Sequence, residues 1–167
     1  MKKSMIFTVA LIGATGFTQT ALAAVSSDDF VKNFSVANEF EIESSKLALD
    51  KSQNKDIKLF AQHMVDGHTQ MGDDLQTLLQ SAKPGMKLES NLDDDHQKLM
   101  KKLESESGDT FNHDYVAIQL KSHKEAVNLF TDYSKNGKDE ALKSFANNTL
   151  PAIESHLHDV EKIRSKE

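Results

Sequence analysis

The chain has 167 residues and a formal charge of −6 at pH 7, with 28% charged residues and no cysteine. A chain this acidic does not bind nucleic acid or an anionic lipid surface through bulk charge. The absence of cysteine excludes a disulfide framework and a lipid-modified cysteine, so the fold must rest on packing alone.

The first segment has Lys2 and Lys3, an apolar stretch from Met5 to about Phe17, and Ala21-Leu22-Ala23 ahead of Ala24. That charged, apolar, small-residue order is a secretory signal, and its apolar part is too short to anchor in a bilayer. Cleavage after Ala23 is expected, leaving residues 24–167 as one domain without an integral membrane segment. The expected location is the periplasm, with secretion or attachment to the cell envelope as alternatives.

Glycine and proline are scarce and fall where helices should stop. Apolar spacing between those stops predicts a first helix from about Asp28, taken as its N-cap, to Lys51, and a second from about Lys55 to Ala82. A short third helix spans about Asp93 to Ser107, a fourth about Asp109 to Lys135 before Asn136-Gly137, and a fifth about Asp139 to Arg164. No strand alternation is present. Short links make helices one and two, and four and five, antiparallel hairpins, while Lys83 to Gly108 is long enough to cross the length of the bundle. The expected fold is therefore all-α: a ferritin-like four-helix bundle whose long crossover carries a short extra helix. Pro151 should bend the fifth helix without breaking it.

Advancing about 100° per residue locates the apolar face of each long helix, and four polar residues fall inside those faces. They are Glu41, His68, His123 and His156, one per helix; His63, His113 and His158 point away. Glu41, His68 and His123 lie near the midpoints of their helices and His156 about one turn beyond, and midpoints meet in an antiparallel bundle. Buried without partners, such groups cost several kcal/mol each, so they should either bond one another or share a cation. Imidazole with one carboxylate suits one Zn, Fe, Mn, Cu or Ni ion. Tyr115, on the face of His123, is placed to hydrogen-bond into that cluster, or else is a core aromatic.

Other features read as structural. Asp93-Asp94-Asp95 with His96 starts a helix and caps it, and Met64, Met71, Met86 and Met100 are packing residues. No phosphate loop, Ser-His-Asp arrangement or H-E-x-x-H motif occurs, so catalysis by the familiar motifs has no support and the residues lean away from an enzyme without deciding the point.

The segments Glu41-Ile42-Glu43, Phe60 to His68, Tyr115 with His123, and Leu150-Pro151 with His156-Leu157 resemble the bacterial domain of unknown function 4142. That family groups with ferritin-like bundles and is typically exported, so the resemblance implies the fold and says little of function. It carries over Glu41, His68, Tyr115, His123, Pro151 and His156. The family often shows Asp-His where this chain has Gly67-His68, with the acid at Asp66 instead. The di-iron pattern of ferritin-like proteins, Glu-x-x-His, is missing, because Val65, Leu120 and Ile153 stand three residues before the histidines.

Two functions follow from these residues. One is an exported metal-handling or stress-related domain holding one transition metal, such as Zn, Fe or Mn, through Glu41, His68, His123 and His156. The other is a cell-envelope binding or scaffold module whose polar core is hydrogen-bonded and metal-free. A metal-dependent redox enzyme is a weaker third reading.

Overall fold

The computed structural model describes residues 25–166, so the expected signal sequence and its cleavage site lie outside the described residues. Among the described residues five helices follow in order: α1 (Ser27–Lys51), α2 (Lys55–Ala82), α3 (Asp94–Ser105), α4 (Gly108–Asn136) and α5 (Glu140–Arg164). Side chains set most of the starts. The Asn54 carboxamide oxygen accepts from the Asp56 and Ile57 amides at 2.9 and 3.3 Å, Asp93 accepts from His96 at 2.9 Å, and Asp139 from Leu142 at 3.0 Å. Each satisfies an amide that the helix leaves unpaired. The first helix differs from expectation: its cap is Ser26, whose hydroxyl accepts from the Asp29 amide at 3.1 Å, and Asp28 sits within the first turn. Helix α5 runs unbroken through Pro151.

Contacts between helix ends fix the topology. The start of α1 meets the end of α4, where the Ser27 and Tyr133 hydroxyls are 2.9 Å apart, and its end meets the start of α4, where Ser52 donates to Asn112 at 2.7 Å. Helices α2 and α5 are likewise antiparallel: Lys166 reaches Asp56 at one end, and Lys83 pairs with Asp139 at the other. The end of α2 and the start of α4 therefore lie at opposite ends of the bundle. Residues 83–107 span that length, and this is the crossover expected of a ferritin-like bundle. Lys51 fastens the crossover where it ends, donating to the carbonyls of Leu103, Glu104 and Glu106 at 3.0, 2.5 and 2.8 Å.

The crossover also explains a difference from the helical-face reading. Helix α3 packs on α1, with the His96 ring 5.0 Å from Phe40, so α1 buries Val36 and Phe40 in addition to its inner stripe. Among the described residues, no helix is long and apolar enough to cross a membrane.

The apolar interior is divided in two. One cluster, around Phe30, Phe34, Leu75, Phe130 and Phe145, fills the end where α1 begins. The other, around Ile57, Phe60, Phe111, Tyr115 and Val160, fills the opposite end. Between Met64 and Met71 on α2, Val116 and Phe130 on α4, and Ile153 and Val160 on α5 lies a layer of buried polar residues.

Candidate metal centre

Three imidazoles meet in that layer. The rings of His68 and His123 are 5.7 Å apart between centroids, those of His68 and His156 5.3 Å, and those of His123 and His156 5.7 Å. Each contributes one nitrogen to a set whose members all lie within 4.8 Å of one another. All three residues are buried, with 7%, 1% and 9% of their surface exposed.

The outward bonds of two rings decide what faces the centre. His68 Nδ1 donates to the Asn38 carboxamide oxygen at 2.9 Å, and His123 Nδ1 donates to the Gln119 backbone carbonyl at 2.8 Å. A carbonyl only accepts, so the proton sits on Nδ1 and Nε2 carries a lone pair. Both Nε2 atoms are buried without a partner, as is Nδ1 of His156. Such an atom costs about 1–3 kcal/mol if nothing takes its lone pair.

The rings are also held neutral. Burial depresses His68 well below the usual imidazole value, with the neighbouring His123 and His156 adding to the effect. Burial brings His123 down to about 4, against the opposing pull of the Gln119 carbonyl. His156 is lowered by burial, partly offset by Asp159. Neutral imidazoles with free lone pairs are the protonation state a metal requires.

Glycine in α2 makes room for this arrangement. A Cβ at Gly67 would stand 2.8 Å from His156 Cε1 and 3.0 Å from its Nε2, and one at Gly72 would stand 3.1 Å from the Asn38 amide nitrogen. Glycine inside a helix normally costs about 1 kcal/mol relative to alanine; here it lets two side chains press against the α2 backbone. Gly67→Ala should therefore keep the helical fold while displacing the His156 ring. Metal affinity, measured by competition with a chromophoric chelator, is expected to fall about tenfold or more. An unchanged affinity would mean that His156 needs no such clearance.

The structure places the remaining expected residues differently. Glu41 is buried but lies outside the three-nitrogen set. Burial raises its carboxyl to about 8, with the hydrogen-bonding side chains of Gln119 and Ser122 pulling the other way. At neutral pH it is an uncharged acid, a poor ligand. The Tyr115 hydroxyl pairs with Ser45 at 2.9 Å, and not with a ring of the triad. Helix α1 instead reaches the triad through Asn38, one turn before Glu41. Neither Asn38 nor Gln119, which also donates to Ser44 at 3.1 Å, stands out in the sequence. Their signal is positional, since Asn38 shares a face with Glu41 and Gln119 precedes His123 by one turn.

Comparison with known proteins agrees with this fold. The family described as "Domain of unknown function (DUF4142)" matches residues 13–163. No curated protein matches the chain. Two similar solved structures are those of CopM. Its Cu(II)-bound form has a TM-score of 0.71 at 11% identity, covering 86% of this chain and 99% of that one. Its Cu(I)-bound form has a TM-score of 0.69 at 12% identity, covering 85% and 97%. Likeness at that identity establishes the all-α bundle.

Proposed function

The chain belongs to the DUF4142 family, and from that premise we propose that it is an exported metal-handling domain, binding one transition-metal ion through His68, His123 and His156. The observation that carries this reading is the convergence of three buried imidazoles, one nitrogen of each within 4.8 Å of the others, on rings that each keep a nitrogen without a hydrogen-bond partner. A core built only for hydrogen bonding would satisfy the inward nitrogens as well as the outward ones.

The donor set fits such an ion. Neutral imidazole suits zinc, copper, iron and nickel, and copper(II) heads the affinity order for a nitrogen site. CopM is a copper-bound protein of the same fold, which makes copper the first ion to try. Three nitrogens around one ion at about 2.0–2.1 Å stand closer together than 4.8 Å, so the rings would draw inward on binding. Asn38 and the Gln119 carbonyl would hold two of them in the required tautomer. Once bound, the ion would be sequestered between two apolar clusters, as suits a carrier or buffer. The signal-like order of residues 1–23 supports export to the periplasm, with residues 24–167 forming the working domain.

Protein prepared without a histidine tag should take up one equivalent of copper(II) or zinc(II) per chain, measured by elemental analysis after gel filtration. Uptake below about a tenth of an equivalent for every ion tried, zinc, copper, iron and manganese included, would remove the proposal.

A further inference from the structure

We propose that the ion reaches the triad through the groove between α1 and α4, and that Asp93 and His96 at the groove's mouth are the residues that first capture it. This rests on the three-histidine reading above and adds the route to it.

The groove holds about 340 Å3, and its lining includes both His68 and Asn38. It therefore connects the surface to the 93%-buried ring whose Nε2 has no partner. Its walls combine apolar groups, Phe34 and Ala37 from α1 with Ala126 and Leu129 from α4, with the polar Lys32, Asn33 and Ser122. A comparable groove of about 430 Å3 between α2 and α5 passes Gly67 but is lined by none of the three rings.

Asp93 and His96 come from the start of α3, and Glu125 from α4. Asp93 Oδ1 accepts from His96 Nδ1 at 2.7 Å, which fixes the imidazole and leaves Nε2 as a donor to a metal. The ring is further held against Phe40. A carboxylate–histidine pair outside and an unpartnered imidazole inside, lining one groove, give a cation two successive stations. On this view the crossover helix serves the site by carrying the outer station, in addition to closing the bundle.

The test separates the rate of binding from its strength. Stopped-flow mixing of the tag-free protein with copper(II) or zinc(II), followed by chelator competition, would give the association rate and Kd for wild type, D93N/H96Q and A126F. Asn at position 93 keeps the cap of α3, and circular dichroism would check that each variant is folded. D93N/H96Q should slow association about tenfold, the outer station being lost. Phenylalanine at position 126 narrows the passage and should slow association and dissociation together, leaving Kd within about twofold of wild type. Wild-type rates in folded D93N/H96Q would overturn the inference whatever A126F does. If wild type itself binds no metal, the three-histidine reading fails and this one with it.

Discussion

Replacing His123 by leucine is expected to make the metal-free protein more stable, by about 1–2 kcal/mol, while abolishing the stabilisation that metal gives to wild type. The imidazole is 1% exposed and its Nε2 has no partner. A side chain of similar volume without polar atoms removes that unpaired group. The bond from Nδ1 to the Gln119 carbonyl is also lost, but that oxygen remains an acceptor within the helix. For wild type, an ion at about one hundred times its Kd adds about 2.7 kcal/mol, a rise of roughly 10 °C in melting temperature. Thermal unfolding with and without metal therefore separates two accounts of the core. Binding gives a variant that starts higher and does not respond. A core held by its hydrogen bonds gives a variant that starts several degrees lower, with wild type equally indifferent to metal.

The second large effect concerns Glu41, whose folded-state carboxyl is raised to about 8 from an ordinary 4.5. Between those values the folded chain holds a proton that the unfolded chain has released. Stability from this group is thus fully present below about pH 4.5, declines as pH rises, and is lost above about 8. The full difference is on the order of 5 kcal/mol, at 1.36 kcal/mol per unit. Glutamine is neutral throughout, so Glu41→Gln should match wild type near pH 4.5 and exceed it increasingly up to pH 9, by roughly 3–5 kcal/mol, in urea unfolding of the metal-free protein. The buried histidines run the opposite way. Their lowered values make both proteins less stable as pH falls below about 6.5, an effect that cancels in the comparison. A constant difference across this range would mean that Glu41 is not held protonated by burial.

Helix positions were legible in the sequence because stop signals and apolar periodicity agree in this chain. The second helix ends at Ala82 both in the sequence reading and in the fold, since Lys83-Pro84-Gly85 cannot continue it. The meeting of His68, His123 and His156 was legible for a related reason. Each interrupts an apolar stripe at a height that an antiparallel bundle brings together. Glu41 satisfied the same rule and is buried against Gln119 and Ser122 of α4, outside the three-nitrogen set, because helical phase gives the direction of a side chain and not which of two adjacent turns faces a given partner. On α1 the turn that meets α2 at the triad is that of Asn38. The crossover blurred the pattern further by burying Phe40 on a second face. Gly67 read as a departure from its family's habit, whereas its meaning is steric and visible only when α5 is in place.

The central claim is that His68, His123 and His156 share one ion, and X-ray absorption at the edge of that metal tests it most directly. Protein loaded with a single equivalent should show a nitrogen shell at about 2.0–2.1 Å with scattering from three imidazole rings, and the ring signal should vanish in H68L/H123L. A shell of oxygen alone, or an imidazole signal that survives the double substitution, would place the metal elsewhere and leave the three rings without the role assigned to them.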